Sequence, residues 1–301
     1  MGRLTAIVLG SAAGGGFPQW NCRCRVCRLA WASDARVRPR TQAGLAVGTD
    51  GDNWVLLNAS PDLPHQIRQS PALHPRSGTR GSPIKAIVLT GTEVDQVGGL
   101  LSLRERQSLA LFATASSLAT LAQNPMFAVL APEAVTRHAV IPGKRFELPG
   151  ELAAELFLVP GKVPLYLETD NPETAGETAA NVGIELSAGS ARIAYIPGAA
   201  AVTRRNLEYV RRADVVFFDG TLFRDDEMIT AGTGTKSGRR MGHMPIEGPD
   251  GSLAVLEGLP GRRIFIHINN TNPILIDGSA ERSRVEACGW EVAVDGMEIV
   301  L

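Results

Sequence analysis

Three cysteines stand within six residues, Cys22, Cys24 and Cys27 in NCRCRVC. Thiolates at C-x-C-x-x-C spacing can take three corners of one tetrahedral Zn2+, leaving the fourth corner to a distant residue. Spacing this tight, in a chain expected to sit in a reducing compartment, favours metal ligation over a disulfide framework, and unligated thiols so close together invite oxidation. The expected role is a structural zinc that pins this loop to another part of the fold, with no part in catalysis. Cys288, in VEACGWEV, stands alone and is expected to be a buried small hydrophobe.

A second group of residues could do acid–base or metal chemistry. Histidine is scarce, and two of the five lie at suggestive places: His267 in RIFIHINNTNP and His243 in RRMGHMP. Asp219 ends the apolar run VVFFD, and Glu93 and Asp95 follow KAIVLT. Ligands gather at strand carboxyl ends in α/β folds, so these residues are expected to converge on one cleft. Each also has a plainer reading, a hydrogen-bonded core histidine or, for Asp219 before Gly220, a turn cap. His65, His74 and His138 lie in apparent helix or loop settings and are expected to be structural. Lys236, Arg239 and Arg240 fall in a Gly- and Thr-rich loop, residues 230–245, which reads either as a mobile flap over an anionic substrate or as a solvated basic surface.

The elements that must position these residues are legible as short apolar runs, among them AIVLG, GLAVG, WVLLNAS, KAIVLT, LALFAT, ELFLVP, VGIELSA, RIAYIPG, VVFFDGT, RIFIHIN and EVAVDGMEIVL. Several are continuous rather than alternating, as strands covered on both faces are. Helical spacing falls between some of them, in LLSLRERQ, RRNLEYVRRA, SLAVLEGL and SAERSRVEAC, so the expected architecture is two sheets sandwiched by helices. The glycines of GSAAGGGFP fit no nucleotide-loop register and suit a turn that passes close to a ligand or another strand. At 301 residues, 44% hydrophobic, 20% charged and a net charge of −1, the chain has the composition of a globular enzyme and no basic footprint for nucleic acid. Its N-terminal apolar run is too short for a signal or a membrane span, from which a cytoplasmic location is expected.

Longer stretches carry a resemblance. VLGSAAGGGFPQWNC, the cysteine motif, RPRTQAGLAV, WVLLNASPD, GHM and FIHINNTNPIL occur in the order found in the coenzyme PQQ (pyrroloquinoline quinone) biosynthesis protein B family, so the chain resembles that branch of the metallo-β-lactamase superfamily. The resemblance implies one domain over residues 1–301, a four-layer αββα sandwich of the α/β class, a structural zinc and a role in making PQQ. Related hydrolases carry H-x-H-x-D-H after the strand where this chain has Gly91, Thr92, Glu93, Val94, Asp95 and Gln96. Carried over by position, the first metal would fall on Gly91, Glu93, a residue near Gly161 and a bridging position at Gly198, and is lost. The second would fall on Asp95, Gln96 and His267, and keeps two of three ligands. The fourth zinc ligand maps to Asn270, a weak donor.

What the resemblance implies for chemistry is a mononuclear site built from Asp95, His267 and one or two of Glu93, Asp219 and His243. His243 resembles the histidine that the tRNase Z-like branch uses near the leaving group. Without two metals there is no bridging hydroxide for hydrolysis. Imidazole and carboxylate ligands with open positions suit a non-haem iron site, Fe2+, that binds O2. The expected activity is hydroxylation of the tyrosine ring in a Glu–Tyr-derived precursor of PQQ, with carboxylates held by Lys236, Arg239 and Arg240. The alternatives are a non-catalytic carrier of PQQ or its precursor toward the periplasm and, last, a residual metallohydrolase. Expected partners are the precursor and other PQQ-biosynthesis proteins, without nucleic acid or membrane insertion.

Overall fold

In the computed structural model, which describes residues 2–168 and 176–301, two seven-stranded sheets pack face to face with helices outside each. In chain order the strands are β1 (Thr5–Gly10), β2 (Gly44–Gly48), β3 (Trp54–Leu57), β4 (Ile84–Val88), β5 (Leu109–Thr114), β6 (Val135–Val140), β7 (Arg145–Leu148), β8 (Leu152–Pro160), β9 (Glu177–Ala188), β10 (Ala191–Ile196), β11 (Val215–Asp219), β12 (Arg262–Ile266), β13 (Trp290–Val292) and β14 (Glu298–Val300). One sheet runs β14-β1-β2-β3-β4-β5-β6 and the other β13-β12-β11-β10-β9-β8-β7. This is the expected αββα sandwich.

The continuous apolar runs have a direct cause. Successive side chains point to opposite faces of a strand, and here both faces are covered. In β1, Ala6 and Val8 enter the core between the sheets while Ile7 and Leu9 pack under the outer helices. In β10, Ile193 and Tyr195 face inward and Ala194 and Ile196 outward. The sequence reading misses β6 and β7, one edge strand of each sheet, whose burial is mostly partial or absent. It also merges two strands at the C-terminus: EVAVDGMEIVL divides between β13 in one sheet and β14 in the other. The helical reading of LLSLRERQ fails past Leu103. After the short helix Val94–Val97, a 3-10 turn covers Gly98–Leu103, and the polar residues 104–107 lie outside any helix, with no buried face to hold one. Cys288 is half-buried at the end of the last helix (Ala280–Ala287) rather than fully buried. His138 lies on β6, not in a helix or loop, with its ring stacked on Phe112. No described helix is long and apolar enough to cross a membrane.

Two features aim the fold at one edge. The parallel strands β3, β4, β11 and β12 end together, and the chain after β1 crosses to the second sheet there: Ala12 bridges to both Gln42 and Ile268, and Ala13 N–H donates to Ile268 O at 2.8 Å. The glycine-rich turn thus lies beside another strand, with Gly14 against the Asp95 carboxylate. On the opposite side, the helix Val94–Val97 is clamped to the end of β3 by Ala59 N–H to Gln96 O, 2.7 Å, and Gly99 N–H to Ala59 O, 2.8 Å. A Cβ on Gly99 would meet Ser60 O at 2.1 Å and Leu63 Cβ at 2.9 Å. Gly99→Ala is therefore expected to cost about 3 kcal/mol of unfolding free energy by overpacking against backbone, measured by urea denaturation. A loss within experimental error of zero would show that this clamp yields freely.

Candidate metal centre

Cys22, Cys24 and Cys27 bring their sulfurs within 4.8 Å of one another, all buried. Cys24 is the N-cap of a helix (Arg25–Trp31) and its Sγ accepts the N–H of Cys27 at 3.4 Å; Cys22 Sγ accepts the N–H of Cys24, also at 3.4 Å. The fourth side is closed by Asn270, whose Nδ2 lies 3.1 Å from Cys22 Sγ and 3.3 Å from Cys27 Sγ. Donors aimed at sulfur favour the thiolate. The hydrogen bond from Cys27, with the nearby amides, pulls the Cys24 thiol down to about 5 against its burial, while the same partnership and burial push Cys27 up. A buried sulfur cluster that carries negative charge is a fit for a cation, and rotation of the Asn270 amide would offer its oxygen at the fourth corner. The next residue, Thr271, donates to Glu227 at 2.6 Å, and burial raises that carboxyl to about 7.

The second centre lies in a cleft of ≈ 360 Å³ whose lining includes Glu93, Asp95, His243, His267 and Asn269. Asp95 projects from the first turn of the helix Val94–Val97, His267 follows β12, and Asp219 ends β11. His267 Nε2 lies 2.9 Å from Asp95 Oδ2. Two neighbouring ligands, each roughly 2.1 Å from one ion and at right angles, would lie about 3 Å apart, so this pair can share a metal. Burial alone would raise Asp95 and lower His267; their hydrogen bond and opposite charges reverse both, holding the carboxyl below its usual range and the imidazole above its own.

Asp219 is wholly buried, and ligand atoms of Asp219, His243 and His267 lie within 4.8 Å of one another. Its oxygens are already engaged. Oδ1 accepts Thr221 N–H at 3.0 Å and Thr221 Oγ1 at 2.6 Å, and Oδ2 accepts Ala199 N–H at 2.9 Å and lies 2.7 Å from His243 Nδ1. That fills the lone pairs of the carboxylate and assigns it to orienting His243, whose Nδ1–H it accepts and whose Nε2 is left for the cleft. Thr221 does the same for His267: with its proton on Asp219, Oγ1 accepts from His267 Nδ1 at 2.8 Å and leaves Nε2 toward Asp95. The two rings stack at 5.3 Å.

Side chains fill the places onto which the first metal of the related hydrolases maps by position. A Cβ on Gly198 would meet the His243 ring at 3.4 Å, one on Gly161 would meet Asn181 Nδ2 at 2.3 Å, and one on Gly91 would meet Gln96 Oε1 at 2.4 Å. Asn181 is held there by donating to Gly198 O at 3.1 Å and Val159 O at 3.3 Å. Glu93 lines the cleft, yet its carboxylate accepts from Lys162 Nζ at 2.9 Å and Leu165 N–H at 3.1 Å and so is committed to the rim.

The basic residues divide. Lys236 reaches the cleft and pairs with Glu168 at 2.8 Å, and Arg240 lies 3.5 Å from the same oxygen. Arg239 is directed elsewhere, toward Asp250 at 3.9 Å. Lys162, Glu168, Thr221 and Asn181 were not singled out by sequence. Only Thr221, two residues after Asp219 in VVFFDGT, and Lys162, in VPGK, stand next to residues that were. His65, His74 and His138 have no place in the cleft. Thr221→Val removes a buried donor and acceptor at once and is expected to cost about 1–3 kcal/mol by urea unfolding and to shift the His267 Nδ1–H resonance, with Thr221→Ser close to the parent. Unchanged stability and spectrum in the valine variant would remove Thr221 from this network.

The Beta-lactamase superfamily domain matches residues 53–268. Coenzyme PQQ synthesis protein B of Methylorubrum extorquens is 53% identical over 296 residues, covering 98% of this chain and 99% of that one. The solved structure of Zn2+-bound PqqB from Methylobacterium extorquens superposes with a TM-score of 0.97 at 52% identity, covering 99% of this chain and 100% of that one. A diphosphatase of the PhnP family, 22% identical, shares the fold with a TM-score of 0.69 over 99% of this chain and 97% of its own. By sequence along its length and by architecture, the chain belongs to the coenzyme PQQ synthesis protein B family of the β-lactamase superfamily.

Proposed function

We propose that this protein acts in PQQ biosynthesis as an Fe(II)- and O2-dependent oxygenase that hydroxylates the tyrosine ring of a Glu–Tyr-derived precursor. The observation that carries the reading is the donor set: His267 and Asp95 meet in one cleft with His243 beside them, while Asn181, Gln96 and the His243 ring fill the places onto which the first metal of the hydrolases maps. An imidazole and a carboxylate with open positions have the ligand character of non-haem iron oxygenases, and a single ion lacks the bridging hydroxide of the hydrolases. The names of the relatives support the pathway, and the o-quinone of PQQ requires new oxygen atoms on a tyrosine ring. When bound, Fe(II) would supply O2 activation. The chain's own residues hold His243 with Nε2 toward the cleft, where it can take the phenol proton, and place Lys236 and Arg240 where substrate carboxylates can be drawn in. The Zn2+-bound relative supports zinc, which we assign to Cys22, Cys24 and Cys27 with Asn270 at the fourth side.

His243→Ala is expected to lower turnover about 10²–10⁴-fold while the dissociation constant of a Glu–Tyr dipeptide changes little, as loss of general acid–base help would. Mass spectrometry for one added oxygen, with Fe(II), a reductant and O2, is paired with isothermal titration. Wild-type protein that binds PQQ or the dipeptide but makes no oxygenated product under any metal loading would leave the carrier reading in place of the oxygenase. For the zinc, Cys24→Ser is expected to give a destabilised or insoluble protein, because structural zinc contributes to folding free energy. A triple Cys→Ser variant with unchanged metal content and melting temperature would overturn that assignment.

A further inference from the structure

Three cations from two parts of the chain converge on one carboxylate at the rim of the cleft. Lys162, just past β8, lies 2.7 Å from Glu168 Oε1, and Lys236 and Arg240, both in the 230–245 loop, lie 2.8 and 3.5 Å from Oε2. Lys162, Glu168 and Lys236 line the same cleft as Asp95, His243 and His267. We infer that Lys162, Lys236 and Arg240 form a carboxylate-binding cradle and that Glu168 occupies it as an internal stand-in for a carboxylate of the substrate. This inference rests on the reading of the cleft as a substrate site and adds the part of the substrate that is recognised, and by what.

Three features separate a stand-in from a plain structural tie. The covering is lopsided: the Glu168 side chain is 8% exposed, whereas Lys236 and Arg240 keep 38% and 33%, so an anion arriving from solvent meets the cations first. Departure of Glu168 would not strand Lys162 in a low-dielectric setting, because Glu93 holds the same ammonium at 2.9 Å. Three donors also share the two oxygens of Glu168, more than a single side-chain tie needs and the number a bound carboxylate can use. A planar guanidinium beside two ammonium groups is the donor set for a carboxylate. Asp95, elsewhere in the lining, would repel the same group. A substrate with amino-acid carboxylates therefore has one place to put them.

An internal ligand that fills its own cradle about nine-tenths of the time lowers the apparent affinity for an external one about tenfold, and removing it restores that factor. Glu168→Gln, similar in shape and uncharged, is thus expected to bind L-glutamyl-L-tyrosine about tenfold more tightly than wild type. Isothermal titration in low-chloride buffer without O2 reads this independently of any oxygenase chemistry. The same dipeptide with both carboxylates converted to amides is expected to show no gain. Lys236→Gln is expected to weaken binding of the dipeptide and leave its amide analogue unaffected. Should Glu168→Gln prove insoluble, Glu168→Asp, one methylene shorter, is expected to shift affinity in the same direction. Wild type that binds, with either Glu168 variant equal or weaker, would show a structural tie and overturn the stand-in alone. Failure of wild type and variant alike to bind the dipeptide would overturn the reading of the cleft and the inference with it.

Discussion

The left-handed turn of the backbone at His267 is the constraint on which both centres depend. His267 has φ = 58°, a conformation that costs a non-glycine residue on the order of 1–3 kcal/mol and persists only where the surroundings over-determine it. They do so here. Thr221 Oγ1 lies 3.0 Å from His267 O, Ile268 N–H donates to Ser11 O at 2.9 Å, and Asn272 Nδ2 donates to Gly220 O at 2.9 Å. The turn lets consecutive side chains serve different masters: His267 meets Asp95, Asn269 lines the cleft, Asn270 faces the three sulfurs and Thr271 engages Glu227. A cation on the cysteines would fix Asn270, and through it the angle at which His267 enters the cleft three residues earlier. The cysteine cluster and the cleft are thus two ends of one short segment.

The same economy shows in the positions onto which the first metal of the related hydrolases maps. A site without those ligands leaves buried polar space that must be filled with groups whose hydrogen bonds are satisfied. Asn181, Gln96 and the His243 ring fill it, and the nearby positive charge is the Lys162 ammonium between Glu93 and Glu168. The sandwich and the strand-end location are shared with hydrolases of this fold, while the side chains gathered there differ, and function follows the side chains.

Legibility in the sequence followed the physics of burial. Strands covered on both faces announce themselves as unbroken apolar runs, which is why β1 to β5 and β8 to β12 could be read directly, whereas the edge strands β6 and β7 carry no such signal. Nothing local in EVAVDGMEIVL says that its two halves join different sheets, because the switch is a property of the partners. In the site, Asp95, Asp219, His243 and His267 stood out because few residue types hold protons or metals at strand ends. Thr221, Asn181 and Glu168 did not, since threonine, asparagine and glutamate are common in turns and take on meaning only from side chains far away in sequence. Glu93 shows the converse: its position after the strand pointed to the metal, but a lysine 69 residues on claims its carboxylate.

The division of charge in the cleft sets the direction in which a substrate can lie. Asp95 lines the cleft and is held ionised by its hydrogen bond and opposite charge with His267, so that wall repels a second carboxylate. Lys162 and Lys236 put ammonium groups on the other part of the lining. A molecule with carboxylates at one end and an uncharged phenol at the other lowers its energy in one orientation, carboxylates outward and ring inward, and meets like-charge repulsion in the reverse. That orientation brings the ring to the side where His243 Nε2 is left open by the Asp219 hydrogen bond to Nδ1. Selectivity for an aromatic amino-acid derivative would then come from the spacing between the two walls, without a dedicated aromatic pocket. The apolar part of the cleft lining, Met228, Met241 and Leu165 among it, suits such a site because flexible thioethers adapt to a flat ring.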